Sequence, residues 1–177
     1  PEMKATLTIV KSDIKNISFT DKTFVYDGNE HSLEIDGKLP KGVTVSYENN
    51  NQVNAGEYEV VAKFTDTTGN YNDLPNMKAK LVINKAKYDM SNVSFVDKTY
   101  IYDGEEHSLE ITGELPKGVN VSYEGNGKVD AGEYEVIANF TNPDPEHYND
   151  IKPMKAKMVI DKASYNMAGI SFENGTF

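Results

Sequence analysis

Apolar and polar side chains alternate along most of the chain. In residues 31–35, Leu33 and Ile35 point one way and Ser32 and Glu34 the other. In residues 43–48, Val43, Val45 and Tyr47 share a face. In residues 56–65, Tyr58, Val60, Ala62 and Phe64 lie opposite Glu57, Glu59 and Lys63. In residues 77–85, Met77, Ala79, Leu81 and Ile83 face in, and Lys78 and Lys80 face out. A period of two marks half-buried β-strands. An opening strand over residues 24–26 brings the prediction to five, and Phe19 adds a short piece. Turn chemistry separates them at Asp27-Gly28, Asp36-Gly37, Leu39-Pro40-Lys41-Gly42, residues 49–51 and Gly69-Asn70. No ten-residue window carries the i, i+3, i+4, i+7 spacing of a helix. A fold that lays a helix across its sheet is therefore disfavoured, and the apolar face of these strands has to be buried on a second layer of strand.

The whole pattern occurs twice. The stretch from Ser18 returns at Ser94 and the one from Asn54 returns at Asp130, both at an offset of 76. After one inserted residue, the stretch from Asn70 returns at His147. About 35 of the 49 positions from Ile17 to Thr65 are identical in the second copy. Residues 1–11 repeat the sequence from Pro75, and residues 168–177 repeat the opening from Ser91. The predicted organisation is the last strand of a preceding repeat in 1–11, repeat 1 in 12–87, repeat 2 in 88–164, and the start of a following repeat in 165–177. Opening on Pro1, the chain reads as a segment of a longer array. A repeat of this length exceeds a solenoid unit, so each copy is expected to be its own small domain, with a hinge near residues 85–91.

The run Ala55-Gly56-Glu57-Tyr58-Glu59-Val60 is similar to the start of strand F in immunoglobulin-like domains. There a tyrosine hydroxyl bonds back to the backbone at the corner. Tyr58 and Tyr134 are the candidates for that role. The predicted fold class is all-β, with tandem small immunoglobulin-like β-sandwich domains and no helix of note. The motif Tyr26-Asp27-Gly28, repeated as Tyr102-Asp103-Gly104, together with the Ala-Gly-Glu-Tyr and Met-Lys-Ala-Lys runs, resembles bacterial immunoglobulin-like surface repeats of the MBG or YDG type. That resemblance implies an extracellular, cell-surface or cell-wall-attached bacterial protein of adhesin type. It implies no catalytic residues.

Composition narrows the partners. The 177 residues carry 18 basic and 28 acidic side chains, a net charge of −10. Nucleic acid and anionic membrane are disfavoured by that sign, and no apolar run is long enough to insert in a membrane. All 18 basic residues are lysine, and 18 asparagines accompany them, the bias of an AT-rich genome. With no cysteine, disulfides and thiolate metal sites are absent. His31 and His107 each follow an Asp-Gly turn and read as strand-edge residues, and nothing completes an acid–base set around them. His147 occurs in one copy only, in a loop that varies between the copies, and is expected to be exposed. Asp66, Asp73, Asp144, Glu146 and Asp150 precede the last strands without the spacing of a calcium loop. Lys78, Lys80, Lys155 and Lys157 alternate outward, away from any core acid that could crosslink them.

The expected function is therefore non-catalytic. The repeats form a stalk or spacer, without cofactor or metal, that touches neighbouring repeats of the same chain and projects a distal binding domain. The rival expectation is an adhesion module that binds a glycan or host protein through loops that differ between copies, residues 49–51 against 125–127 and 67–70 against 143–147.

Overall fold

The computed structural model describes residues 1–175. Its strands are β1 (Lys22–Val25), β2 (Val43–Glu48), β3 (Gly56–Asp66), β4 (Met77–Asn84), β5 (Lys98–Ile101), β6 (Val121–Glu124), β7 (Gly132–Phe140) and β8 (Met154–Asp161). They form two four-stranded sheets of the same order, β1-β4-β3-β2 and β5-β8-β7-β6. β4 runs antiparallel to β3, and β3 to β2. β1 lies parallel to β4, with Lys22 opposite Leu81 and Val25 opposite Asn84. The chain is all-β, and first and last strands lie side by side as in an immunoglobulin-like sandwich.

It divides into two compact units. Unit 1 holds Pro1–Lys87 together with Asp144–Asn149, and unit 2 holds Tyr88–Pro143 and the chain from Asp150 onward. In unit 1, Val60, Ala79, Leu81 and Ile83 cover one face of the sheet and are buried with Leu33. Phe19, Phe24, Tyr26, Tyr47 and Tyr58 close the rim. Unit 2 buries Leu109, Val136, Ala156, Met158 and Ile160 in the same way.

The expected strand over residues 31–35 does not form as a regular strand. The segment opposes the sheet as the second layer, tied at its ends by single bridges, His31 to Gln52 and Ser18 to Asp36. Between those ties, side chains take the place of a neighbouring strand. The Asn50 amide receives the Leu33 N–H and donates to the Leu33 carbonyl, both at 2.8 Å. The Tyr47 hydroxyl accepts the Ile35 N–H at 3.0 Å. A carboxamide offers one donor and one acceptor, as a peptide group does, so it satisfies backbone that would otherwise be buried unpaired. Unit 2 repeats the device with Asn126 on Leu109 and Tyr123 on Ile111.

The flanking residues explain why this loop differs between copies. Asn49 and Asn51 sit at φ 57° and 63°, and Gly125 and Gly127 at 76° and 68°. Asparagine and glycine are the residues that enter this left-handed region at low cost, so either suits the flanks while the central asparagine stays.

Residues 3–10 lie in the segment that is expected to be the last strand of a preceding repeat. They form no strand here, and Met3, Leu7 and Ile9 are exposed. The place their pattern fits, between β1 and β3, is already filled by β4, as β8 fills it in the second sheet. Of the expected head of a further repeat, residues 176 and 177 lie outside the described residues.

Replacing Asn126 by Ala removes both bonds and strands the Leu109 backbone. A denaturant melt is expected to show unit 2 weakened by about 1–3 kcal/mol, with unit 1 unchanged. An unchanged unit 2 would mean that water replaces the amide.

Candidate functional site

Each predicted site residue has a definite place. At the Asp-Gly turn, Gly28 adopts φ 79°. Asp27 Oδ1 accepts the Asn29 N–H at 2.9 Å and lies 3.1 Å from His31 Nε2. The Asn29 backbone bond, more than the nearby histidine, holds the Asp27 carboxyl below the usual carboxylate range. His31 stacks on Phe24 with ring centres 4.3 Å apart. In unit 2, Gly104 takes φ 87°. Asp103 accepts the Glu105 N–H at 2.9 Å and lies 3.0 Å from His107, which stacks on Tyr100. The Glu105 bond is the main reason that the Asp103 carboxyl is lowered. These pairs hold a turn against the rim of the core, and that task engages Nε2 of each histidine and Oδ1 of each aspartate.

The tyrosines follow from a glycine. Tyr58 folds back along its own strand, and its hydroxyl donates to the Asn54 carbonyl at 3.0 Å. Tyr134 donates to the Asp130 carbonyl at 2.9 Å. Their rings lie over Gly56 and Gly132, where an added Cβ would stand 3.0 Å from the hydroxyl oxygen. The Ala-Gly-Glu-Tyr run thus provides both the aromatic and the bare backbone it crosses.

The loop acids serve the loops. Asp66 Oδ1 receives the Thr68 N–H and hydroxyl, both at 2.7 Å, and Oδ2 receives the Tyr71 N–H at 3.1 Å. The Thr68 hydroxyl first, then these backbone N–H groups, pull the Asp66 carboxyl down to about 2. Among the described residues no three His, Asp or Glu side chains cluster as a metal site. The outward lysines pair across the sheet: Lys78 with Glu59 at 2.7 Å, Lys80 with Glu57 at 3.0 Å, Lys155 with Glu135 at 3.0 Å and Lys157 with Glu133 at 2.7 Å. All are exposed, so they keep the surface polar and add little stability.

His147 is not exposed as expected. Within unit 1 its ring stacks on Tyr26 at 4.3 Å, and Nδ1 lies 2.9 Å from Asp144 Oδ1. From sequence this histidine reads only as an exposed loop residue, and the central asparagine of the 49–51 loop is not singled out. The retention of Asn50 as Asn126, between two positions that change, was the available signal for the second.

Topology and tyrosine closure define an immunoglobulin-like repeat module. The family model of the MBG domain matches residues 15–87, the first of the two repeats. No curated protein matches the chain. Among solved structures, the extracellular domains 3–5 of Drosophila OTK share 14% identity at a TM-score of 0.34, over 84% of this chain. The chain spans 63% of that structure's length. Fibronectin(III)-like modules of Clostridium thermocellum CbhA share 13% at 0.28, over 92% of this chain and 100% of theirs. A SusE-like, surface-located polysaccharide-binding protein of Bacteroides thetaiotaomicron shares 10% at 0.28, over 84% of this chain and 34% of its own. All three scores are low, and the fold assignment rests on the strand order.

Two outcomes test this geometry. Tyr58→Phe is expected to cost unit 1 about 0.5–1.5 kcal/mol in a urea melt, the net worth of one hydrogen bond. No measurable loss would leave the hydroxyl without a structural role. Asp66 has a depressed carboxyl, so its contribution is complete above the unfolded value near 3.8 and is lost as pH falls towards about 2. Asp66→Asn should lower the melting temperature at pH 7 and flatten its fall between about pH 4 and pH 2. Parallel curves for the two proteins would show that Asp66 does not titrate low.

Proposed function

We propose that both repeats are MBG domains and that they act as a non-catalytic stalk or spacer of a bacterial cell-surface protein. The observation that carries the reading is the parallel pairing of β1 with β4 and of β5 with β8. In a parallel pair, the start of the first strand and the end of the last lie at opposite ends of the sheet. Tension applied through the chain therefore loads their hydrogen bonds together, in shear. The Tyr26 N–H to Asn84 carbonyl bond, at 2.8 Å, and its counterpart from Tyr102 to Asp161 extend each pair by one rung. The acidic, lysine-paired outer face supports the reading, because a polar sheet face of like net charge disfavours side-by-side association. The loop that differs most simply between copies, residues 49–51 against 125–127, varies between residues suited to a left-handed backbone, which weakens its case as a recognition surface.

Single-molecule pulling on the chain is expected to give two unfolding peaks of similar force, each releasing about one repeat of chain. Smooth extension without peaks would refute load-bearing. Tight, selective capture of one glycan or host protein by this chain would favour the adhesion-module reading instead.

A further inference from the structure

One end of unit 1, around Tyr26, is filled by residues 144–149. The His147 ring stacks on Tyr26 at an interplanar angle of 20°, and Tyr148 meets the same ring edge-on at 5.8 Å. His147 Nε2 lies 3.1 Å from Asn54 Oδ1. Lys85 Nζ donates to the Pro145 carbonyl. Ala86 is held by a two-bond clamp: its N–H donates to the His147 carbonyl at 2.8 Å, and its carbonyl accepts the Asn149 N–H at 2.9 Å. The Asn149 side chain adds bonds to the Lys85 and Ala86 carbonyls, each at 3.1 Å. Ala86 is buried and Tyr26 packs on the core. The same clamp occurs a second time in unit 1, where Ser12 donates to Asn70 at 3.0 Å and accepts from Asn72 at 2.9 Å.

The corresponding surface of unit 2 is open. Tyr102, Asp130, Lys162, Ala163 and Tyr165 stand where unit 1 has Tyr26, Asn54, Lys85, Ala86 and Tyr88, and they line a recess of about 400 Å³. Tyr102 is 42% exposed and Tyr165 is 96% exposed. Ala163 makes no backbone bridge among the described residues. The aromatic face, the lysine and the free alanine backbone that unit 1 uses are therefore all present.

We propose that this recess is a docking site for a further MBG repeat, which enters it with a loop of the Asp-Pro-Glu-His-Tyr-Asn type. The histidine-bearing loop fits better than the Thr-Thr-Gly-Asn-Tyr-Asn loop of repeat 1. Asp130 replaces Asn54 at the position that faces the histidine, and a carboxylate is the stronger acceptor for an imidazole N–H. The ring also supplies the stacking partner for Tyr102. The proposal deepens the stalk reading and rests on it for its biological use: each module's end would hold the next module by a backbone clamp as well as by the covalent chain.

The test is a chain lengthened by one repeat, with residues 87–163 duplicated after Ala163. Amide hydrogen exchange is compared with the 177-residue chain. Ala163 is expected to slow at least tenfold, into the range of Ala86. Replacing the added copy's counterpart of His147 by Ala, or making Tyr102→Ala, should return Ala163 to fast exchange while Ala86 stays slow. The unchanged Ala86 reports that the variants fold. Equal exchange at Ala163 in the original and lengthened chains overturns the proposal, and so does slow exchange that both variants leave intact. Force does not enter this readout, so a failed docking test and a failed pulling test are distinguishable.

Discussion

Each unit depends on burying one leucine through a segment that is not a strand. Leu33 and Leu109 cap the apolar faces of the two sheets, and almost no water reaches either. Without them Val60, Leu81 and Ile83, or Val136, Met158 and Ile160, would face solvent on one side. A peptide segment can be pressed onto such a face only when its own N–H and C=O groups are satisfied. One carboxamide, from Asn50 or Asn126, supplies both partners at the leucine. A domain of this size has a small hydrophobic core, so replacing a whole strand by one side chain shortens the fold without leaving the layer open.

The alternation of apolar residues was enough to read β2, β3 and β4, because each has a wet face and a dry face. It also placed the inward residues correctly in both copies. The same alternation misled at residues 31–35, where Leu33 and Ile35 have the pattern of a strand but the backbone pairs with side chains. Periodicity reports which side chains are buried and is silent on where the backbone bonds go. The turn residues were legible as turns, and the tyrosine hydroxyl bond was legible in the Ala-Gly-Glu-Tyr run. His147 was misread because its partners, Tyr26 and Asn54, are distant in sequence. No local pattern encodes such a contact.

Several titratable groups of the turns and loops are engaged structurally. Asp27 and Asp103 close turns, Asp66 organises its loop, and the strand lysines face glutamates across the sheet. A side chain committed to a turn costs stability when it is diverted to chemistry. In these groups charge shapes turns and loops, a use compatible with the repetition of the module.

That copying has a kinetic consequence through β4. Its inward residues Met77, Ala79, Leu81 and Ile83 differ from Met154, Ala156, Met158 and Ile160 of β8 at one position, and residues 3, 5, 7 and 9 reproduce the first set without change. On their inward faces the three strands are nearly interchangeable, so burial alone selects weakly between a sheet's own closing strand and another's. Selection falls to tether length: the strand already joined to a sheet by a short loop is present at a far higher effective concentration than any copy farther along the chain. Loop length before the closing strand is then a fidelity device, and lengthening it would raise the traffic in exchanged strands during refolding.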